Sequence, residues 1–175
     1  KHCQAAFDFY DKDGVKTELT GVMSVFWVIG SQNGGGFLMG GGTNAHNGAK
    51  FPWHRGGGQA GIGADNHENA LLNGSHSLAE LRTDGAVWRL NGETVEPTTT
   101  GLSGAWDVLS LTVPEANRPL VNAQGFAFDG RSDQVARQGS QRLAEVIVYG
   151  RELSEAECVS NEAYLAWKWG LANPP

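Results

Sequence analysis

Trp53, His54 and Arg55 stand in one run, after Pro52 and before Gly56-Gly57-Gly58. An indole offers a flat apolar surface to the C–H face of a pyranose, while imidazole and guanidinium groups hydrogen-bond its hydroxyls or an acid substituent. Sugar binding is the chemistry this triplet would serve. Asn66 and Asn73, with Asn44, His46, Asn47 and the run Asp65-Asn66-His67-Glu68-Asn69, add polar groups in neighbouring loops. Trp88 alternates with Ala86 and Leu90, so it is either a further stacking surface or a core residue, depending on which face that alternation buries. The expected ligand contacts are therefore Trp53, His54, Arg55, Trp88, Asn66 and Asn73. The other tryptophans read as structural: Trp27 and Trp106 in apolar strands, Trp167 on a helical stripe and Trp169 covering one end of the fold. Arg55, Arg89 and Arg131 are able to hold a uronate or sulfate, although pairing with nearby Asp or Glu is the more ordinary use of such arginines.

Other chemistries find less support. Glycan cleavage needs two carboxylates at a fixed separation, and Glu80, Asp84, Glu93 and Glu96 form no such set. There is no G-x-S-x-G elbow for a serine nucleophile. His46, His54 and His67 lack the H-x-H or H-x-x-x-H spacing of a metal site. Asp8, Asp11 and Asp13 before Gly14 miss the EF-hand spacing and read as turn residues. The chain reads as non-catalytic, with no cofactor beyond an optional structural calcium. Cys3 and Cys158 lie at opposite ends without C-x-x-C spacing. A Cys3–Cys158 disulfide in an oxidising, extracytoplasmic setting is the expectation, and two separate buried thiols the alternative.

Positioning these residues falls to many short elements. At 175 residues the chain fits one domain, 1–175, with 25 glycines suited to tight turns between strands. The net charge of −6 argues against a phosphate-tracking surface, so nucleic acid is not an expected partner. No apolar run is long enough to span a bilayer, and the N-terminus lacks a leader pattern, so we expect a soluble chain without membrane insertion whose export signal has been removed. Residues 21–30 are apolar on both alternating faces, as in a covered central strand. Phe37-Leu38-Met39, residues 106–113, 125–129 and 142–149 supply further strands, and Asn91-Gly92 marks a type I′ hairpin. In 142–149, strict alternation sets Ala144, Val146 and Val148 against Leu143, Ile147 and Tyr149. Glu145 then needs a partner, a backbone amide or an arginine such as Arg142 or Arg151. One helix starts at Ser154, where Ser154 and Glu157 form a capping box and Leu153 and Cys158 a staple. Ala156, Val159, Ala163 and Trp167 recur at helical spacing and are expected to face the sheets.

The run from Gln141 to Glu157, closing on Tyr164-Leu165-Ala166-Trp167-Lys168-Trp169-Gly170-Leu171, resembles the C-terminal signature of bacterial laminin-G-like domains in the concanavalin A-like lectin/glucanase superfamily. Ser24-Val25-Phe26-Trp27-Val28, Phe37-Leu38-Met39-Gly40, His54-Arg55-Gly56, Arg89-Leu90-Asn91-Gly92 and Asp107-Val108-Leu109-Ser110-Leu111 resemble blocks of the same family in the same order. The resemblance implies an all-β fold, a two-sheet antiparallel β-sandwich (jelly roll) with one C-terminal helix. It implies a secreted or cell-surface bacterial protein, often part of a larger multidomain chain. The E-x-D-x-x-E motif of the superfamily's glucanases is absent here, and Ala144-Glu145 stands where Asp-Glu often precedes the last strand, which weakens the case for calcium. The combined expectation is a non-catalytic carbohydrate-binding module recognising a polysaccharide. The alternatives are a structural or adhesion domain that binds protein or no ligand, and a glycan hydrolase or lyase with a non-standard site.

Overall fold

The computed structural model describes residues 9–10, 12–17, 22–30, 70–72, 85–118 and 142–171. Their main body is an antiparallel five-stranded sheet with one long helix against it. The strands are β3 (Ser24–Gly30), β4 (Val87–Leu90), β5 (Glu93–Val95), β6 (Trp106–Thr112) and β7 (Arg142–Tyr149), in the order β5-β4-β6-β3-β7. A separate two-stranded ribbon pairs β1 (Phe9–Tyr10) with β2 (Lys16–Thr17). The helix, α1, spans Glu155–Trp169. The fold is thus mostly β with one helix, and a second sheet facing the first is not among the described residues. The expected strands at Phe37–Met39 and 125–129 lie outside them.

β3 lies inside the sheet between β6 and β7, and all seven of its residues are buried. Its odd-numbered residues Val25, Trp27 and Ile29 join Leu109, Leu111, Val113 and Trp88 in one core, with Leu71 and Leu72 packed there. Its even-numbered residues Phe26 and Val28 join Val108 in a second core under α1. This two-sided burial is what a strand apolar at every position requires.

The Asn91-Gly92 turn between β4 and β5 has φ of 50° and 90°, the two positive values that a type I′ hairpin demands. The Asn91 side chain also ties the hairpin to β6. Its amide donates to Asp107 Oδ1 at 2.8 Å, and its carbonyl oxygen accepts from Val108 N at 2.8 Å.

The helix begins as its cap residues dictate. Glu157 N donates to Ser154 Oγ and Ser154 N to Glu157 Oε2, completing the capping box, while Leu153 and Cys158 are both buried as the staple. Gly170, at φ 63°, ends it: its N–H donates to Trp167 O, and that of Leu171 to Ala166 O. The phase of the helix departs from expectation. Cys158, Glu162, Leu165 and Ala166 face the sheet, whereas Ala156, Val159, Ala163 and Trp167 are exposed, Trp167 to 75%. The cause is Glu162. A carboxylate in the middle of the inward stripe breaks its apolar pattern, so the competing apolar stripe on the opposite side reads as the stronger one.

β7 holds a second departure. Val28 pairs with Glu145 but Ile29 with Leu143, so Ala144 is an extra residue in a β-bulge. Leu143 therefore packs with Val146 and Val148, and Ala144 with Ile147 and Tyr149, the reverse of strict alternation for these two residues.

Candidate functional site

Trp53, His54, Arg55, Asn66 and Asn73 lie outside the described residues, as do Arg131, His46, His67 and Cys3. Trp88 is 1% exposed and stacks parallel to Trp27 with ring centroids 6.2 Å apart, so it offers no open face to a ligand. Its face of β4 is the one shared with Leu111 across the ladder, deep in the first core.

Arg89 is equally structural. It projects from the opposite face of β4 and is 8% exposed, and its Nε contacts both carboxylate oxygens of Glu162, itself 1% exposed, at 3.0 and 3.1 Å. Arg89 also donates to Gly92 O at 2.5 Å, and Ser110 Oγ donates to Glu162 Oε1 at 2.5 Å. Through this buried pair and Ser110, α1 is bonded to both β4 and β6.

Beside this pair opens a groove of about 460 Å³ between the sheet edge and the first turns of α1. Val87, Pro114, Leu153 and Cys158 give it apolar walls, and Thr94, Thr112 and Glu155 line it with polar groups. Cys158 carries a free thiol, 3.3 Å from the Thr112 hydroxyl, with its pKa pushed up chiefly by burial. The expected Cys3–Cys158 bridge is not formed, because the Cys158 sulfur is taken up in packing beneath the helix opposite Leu153. The extracytoplasmic setting loses that line of support.

The exposed aromatic surface lies at the other end of the helix. Trp106 was expected in the core, yet it is 37% exposed. It begins β6 opposite Gly30, which has no side chain to cover it. From the far side of β3, Arg142 reaches over Gly30 and sets its guanidinium 5.0 Å from the centroid of the Trp106 ring. The guanidinium lies close over the bare backbone of Gly30, where a Cβ would meet Arg142 Nε and Nη2 at 3.1 Å.

Next to Arg142 on the same strand, Glu145 is held by Lys168 Nζ at 2.9 Å and Trp169 Nε1 at 2.7 Å. These partners replace the expected amide or arginine, because Glu145, opposite Val28 and in phase with Ile147 and Tyr149, lies on the helix side of the sheet. Lys168 first, then Trp169, lower the Glu145 pKa from its ordinary value. Tyr164, Trp167 and Trp169 are each exposed along this end of α1. The row Trp106, Gly30, Arg142 with its flanking Glu145 and Trp169 is therefore an aromatic and charged surface at one end of the sheet. The sequence signal for it was a tryptophan whose cross-strand neighbour is glycine, a pairing that becomes visible only with the register.

Among the described residues, no group of three or more His, Cys, Asp or Glu side chains is placed to hold a metal ion. Asp13 pairs with Lys12 at 2.7 Å beside Gly14, whose φ is 76°. Among the same residues, no helix is long and apolar enough to cross a membrane. Compared with known proteins, the chain matches no family model, no curated protein and no solved structure. Its likeness to laminin-G-like domains rests on the sequence blocks alone.

Proposed function

We propose that this chain is a β-sandwich of the laminin-G-like type that acts as a non-catalytic carbohydrate-binding module of a secreted or cell-surface protein. The observation that carries this reading is the exposed Trp106 indole at the end of the sheet, flanked by a guanidinium and, along β7, by a paired carboxylate. An open aromatic ring beside charged hydrogen-bonding groups is what a pyranose with its apolar face and hydroxyl rim requires. Complete burial of Val25, Trp27 and Ile29, on the face of β3 away from α1, supports a second layer there, as a sandwich would have. Trp53, His54 and Arg55 are the proposed further contacts. The test is a glycan array of neutral, uronic and sulfated oligosaccharides, read with calcium and then with chelator. Selective binding that Trp106→Ala abolishes without changing the melting temperature supports the module. Loss in chelator would add structural calcium to it.

The second reading is an adhesion domain that binds protein. It is favoured by the outward stripe of α1, where Val159 and Trp167 are exposed among alanines. Silence on every glycan in both conditions would favour it.

A further inference from the structure

We infer that Trp106 and Arg142 form a subsite for a carboxylate-bearing sugar, a uronate, within the glycan surface proposed above. The inference rests on the carbohydrate-binding reading and narrows it to an acidic ligand.

Three observations converge on Arg142. The first is its lack of an acidic partner. Among the described residues Arg89 pairs with Glu162, Arg118 with Glu115 and Arg151 with Glu157, while Arg142 pairs with no carboxylate and lies on an indole instead. A guanidinium carries five N–H donors in a planar fork that matches a carboxylate's two oxygens. Stacking on Trp106 leaves those donors in place for a ligand, because a π-face engages the plane of the group rather than its edge.

The second observation is preorganisation. The guanidinium crosses β3 over the bare backbone of Gly30, so close that a Cβ there would meet it at 3.1 Å, and this strand provides a shallow seat for a long, flexible side chain. Ordering such a side chain on binding would otherwise weaken affinity. The third is the electrostatic surroundings. The nearest carboxylate on this strand, Glu145, is already neutralised by Lys168 and bonded to Trp169, so it neither captures Arg142 nor presents an unpaired charge to an acidic ligand. Trp106 leaves part of its surface to solvent for the sugar ring. A neutral sugar would use the indole and leave the guanidinium's charge unmatched, whereas a uronate uses both.

The experiment compares matched trisaccharides that differ only in oxidation at C6: galactose and galacturonate, glucose and glucuronate, mannose and mannuronate. Affinities are measured by titration calorimetry on the full chain. We expect at least one uronate to bind about 10-fold more tightly than its neutral counterpart, the scale of one charge-assisted bidentate contact. Arg142→Gln should remove that preference while leaving weak binding of the neutral sugar. Gly30→Ala should reduce that preference with both site residues intact, because the added methyl crowds the guanidinium at 3.1 Å. Trp106→Ala should abolish binding of both sugars. Thermal melts of each variant verify folding.

Equal affinities for acidic and neutral partners, or a preference that survives Arg142→Gln in a folded protein, would overturn the inference. If neutral trisaccharides bind and no uronate preference exists, only this subsite fails. If no glycan of any kind binds the wild-type chain, the carbohydrate reading fails with it.

Discussion

Removing Arg89 should destabilise the protein far more than removing a surface ion pair. The guanidinium is almost wholly buried, and without it Glu162 keeps a single bond, from Ser110 Oγ, at a site that is 1% exposed. Stranding one member of a buried pair typically costs about 3–5 kcal/mol. With a urea slope of about 2 kcal/mol per molar, Arg89→Ala should lower the unfolding midpoint by about 1.5–2.5 M. Glu162→Gln keeps the shape and a carbonyl acceptor for Arg89, so its cost should lie nearer the about 1.5–3 kcal/mol of a charged hydrogen bond. The double replacement Arg89→Met/Glu162→Leu fills the space with apolar atoms and leaves no charge behind. It should return to within about 1 kcal/mol of the wild type or exceed it. Equilibrium urea unfolding of these proteins and of the matching singles Arg89→Met and Glu162→Leu, followed by tryptophan fluorescence and far-ultraviolet circular dichroism, provides all four corners of the cycle. A cost below about 1 kcal/mol for Arg89→Ala, or a double variant as unstable as the two singles summed, would refute the reasoning.

Three further outcomes follow from the caps, the hairpin and the thiol. Glu157 is held at a pKa of about 2 by Arg151 first and then by Ser154, so its contribution to stability is present above the ordinary value of 4.5 and is lost as pH falls through about 2. The stability advantage of wild type over Glu157→Gln should therefore be full at pH 6 and vanish near pH 2 in urea titrations, and an advantage that does not change with pH would count against the capping account. Asn91→Ala removes a residue at φ 50° and two bonds to β6, and should cost about 2–4 kcal/mol, of which Asn91→Gly recovers only the backbone part. Equal melting temperatures for the two variants would mean that the positive φ contributes nothing, and an Asn91→Gly protein as stable as the wild type would mean the same of the side-chain ties. Cys158 should resist a thiol reagent in native buffer and react once urea unfolds the chain; stoichiometric native labelling mapped to Cys158 would contradict its burial.

Much of the frame was legible in local sequence. The capping box at Ser154 and Glu157, the staple of Leu153 and Cys158, the Asn91-Gly92 hairpin and the twice-buried β3 each depend on residues within a turn or a strand of one another. What escaped depends on long-range pairing. Glu162 lies 73 residues from Arg89, so nothing near it in sequence announces that a carboxylate belongs on the inward face. The helix was accordingly expected with the wrong side toward the sheet. Trp106 looked like core because its own strand is apolar, and only the register that sets Gly30 beside it explains the exposure. The Cys3–Cys158 pairing came from position in the chain alone, and Cys158 instead packs beneath the helix.

The bulge at Ala144 connects these long-range features to the surface proposed as the binding site. In an unbroken ladder Ala144 would pair with Ile29 and Leu143 with Gly30, which would carry Arg142 past the end of β3. Absorbing one residue lets Leu143 fill the core beside Ile29 and brings Arg142 opposite Gly30, on the same face as Trp106. Glu145, on the unshifted side of the bulge, stands opposite Val28 as it would in an unbroken ladder, within reach of Lys168 and Trp169 at the end of α1. One inserted residue thus satisfies both the apolar core and the guanidinium's route to the indole. Bulges are favoured where a side chain must be re-aimed without loss of pairing on either side. That both requirements are met at this one position is the strongest structural argument for treating the Trp106 and Arg142 end of the sheet, rather than the groove beside Cys158, as the working surface of the protein.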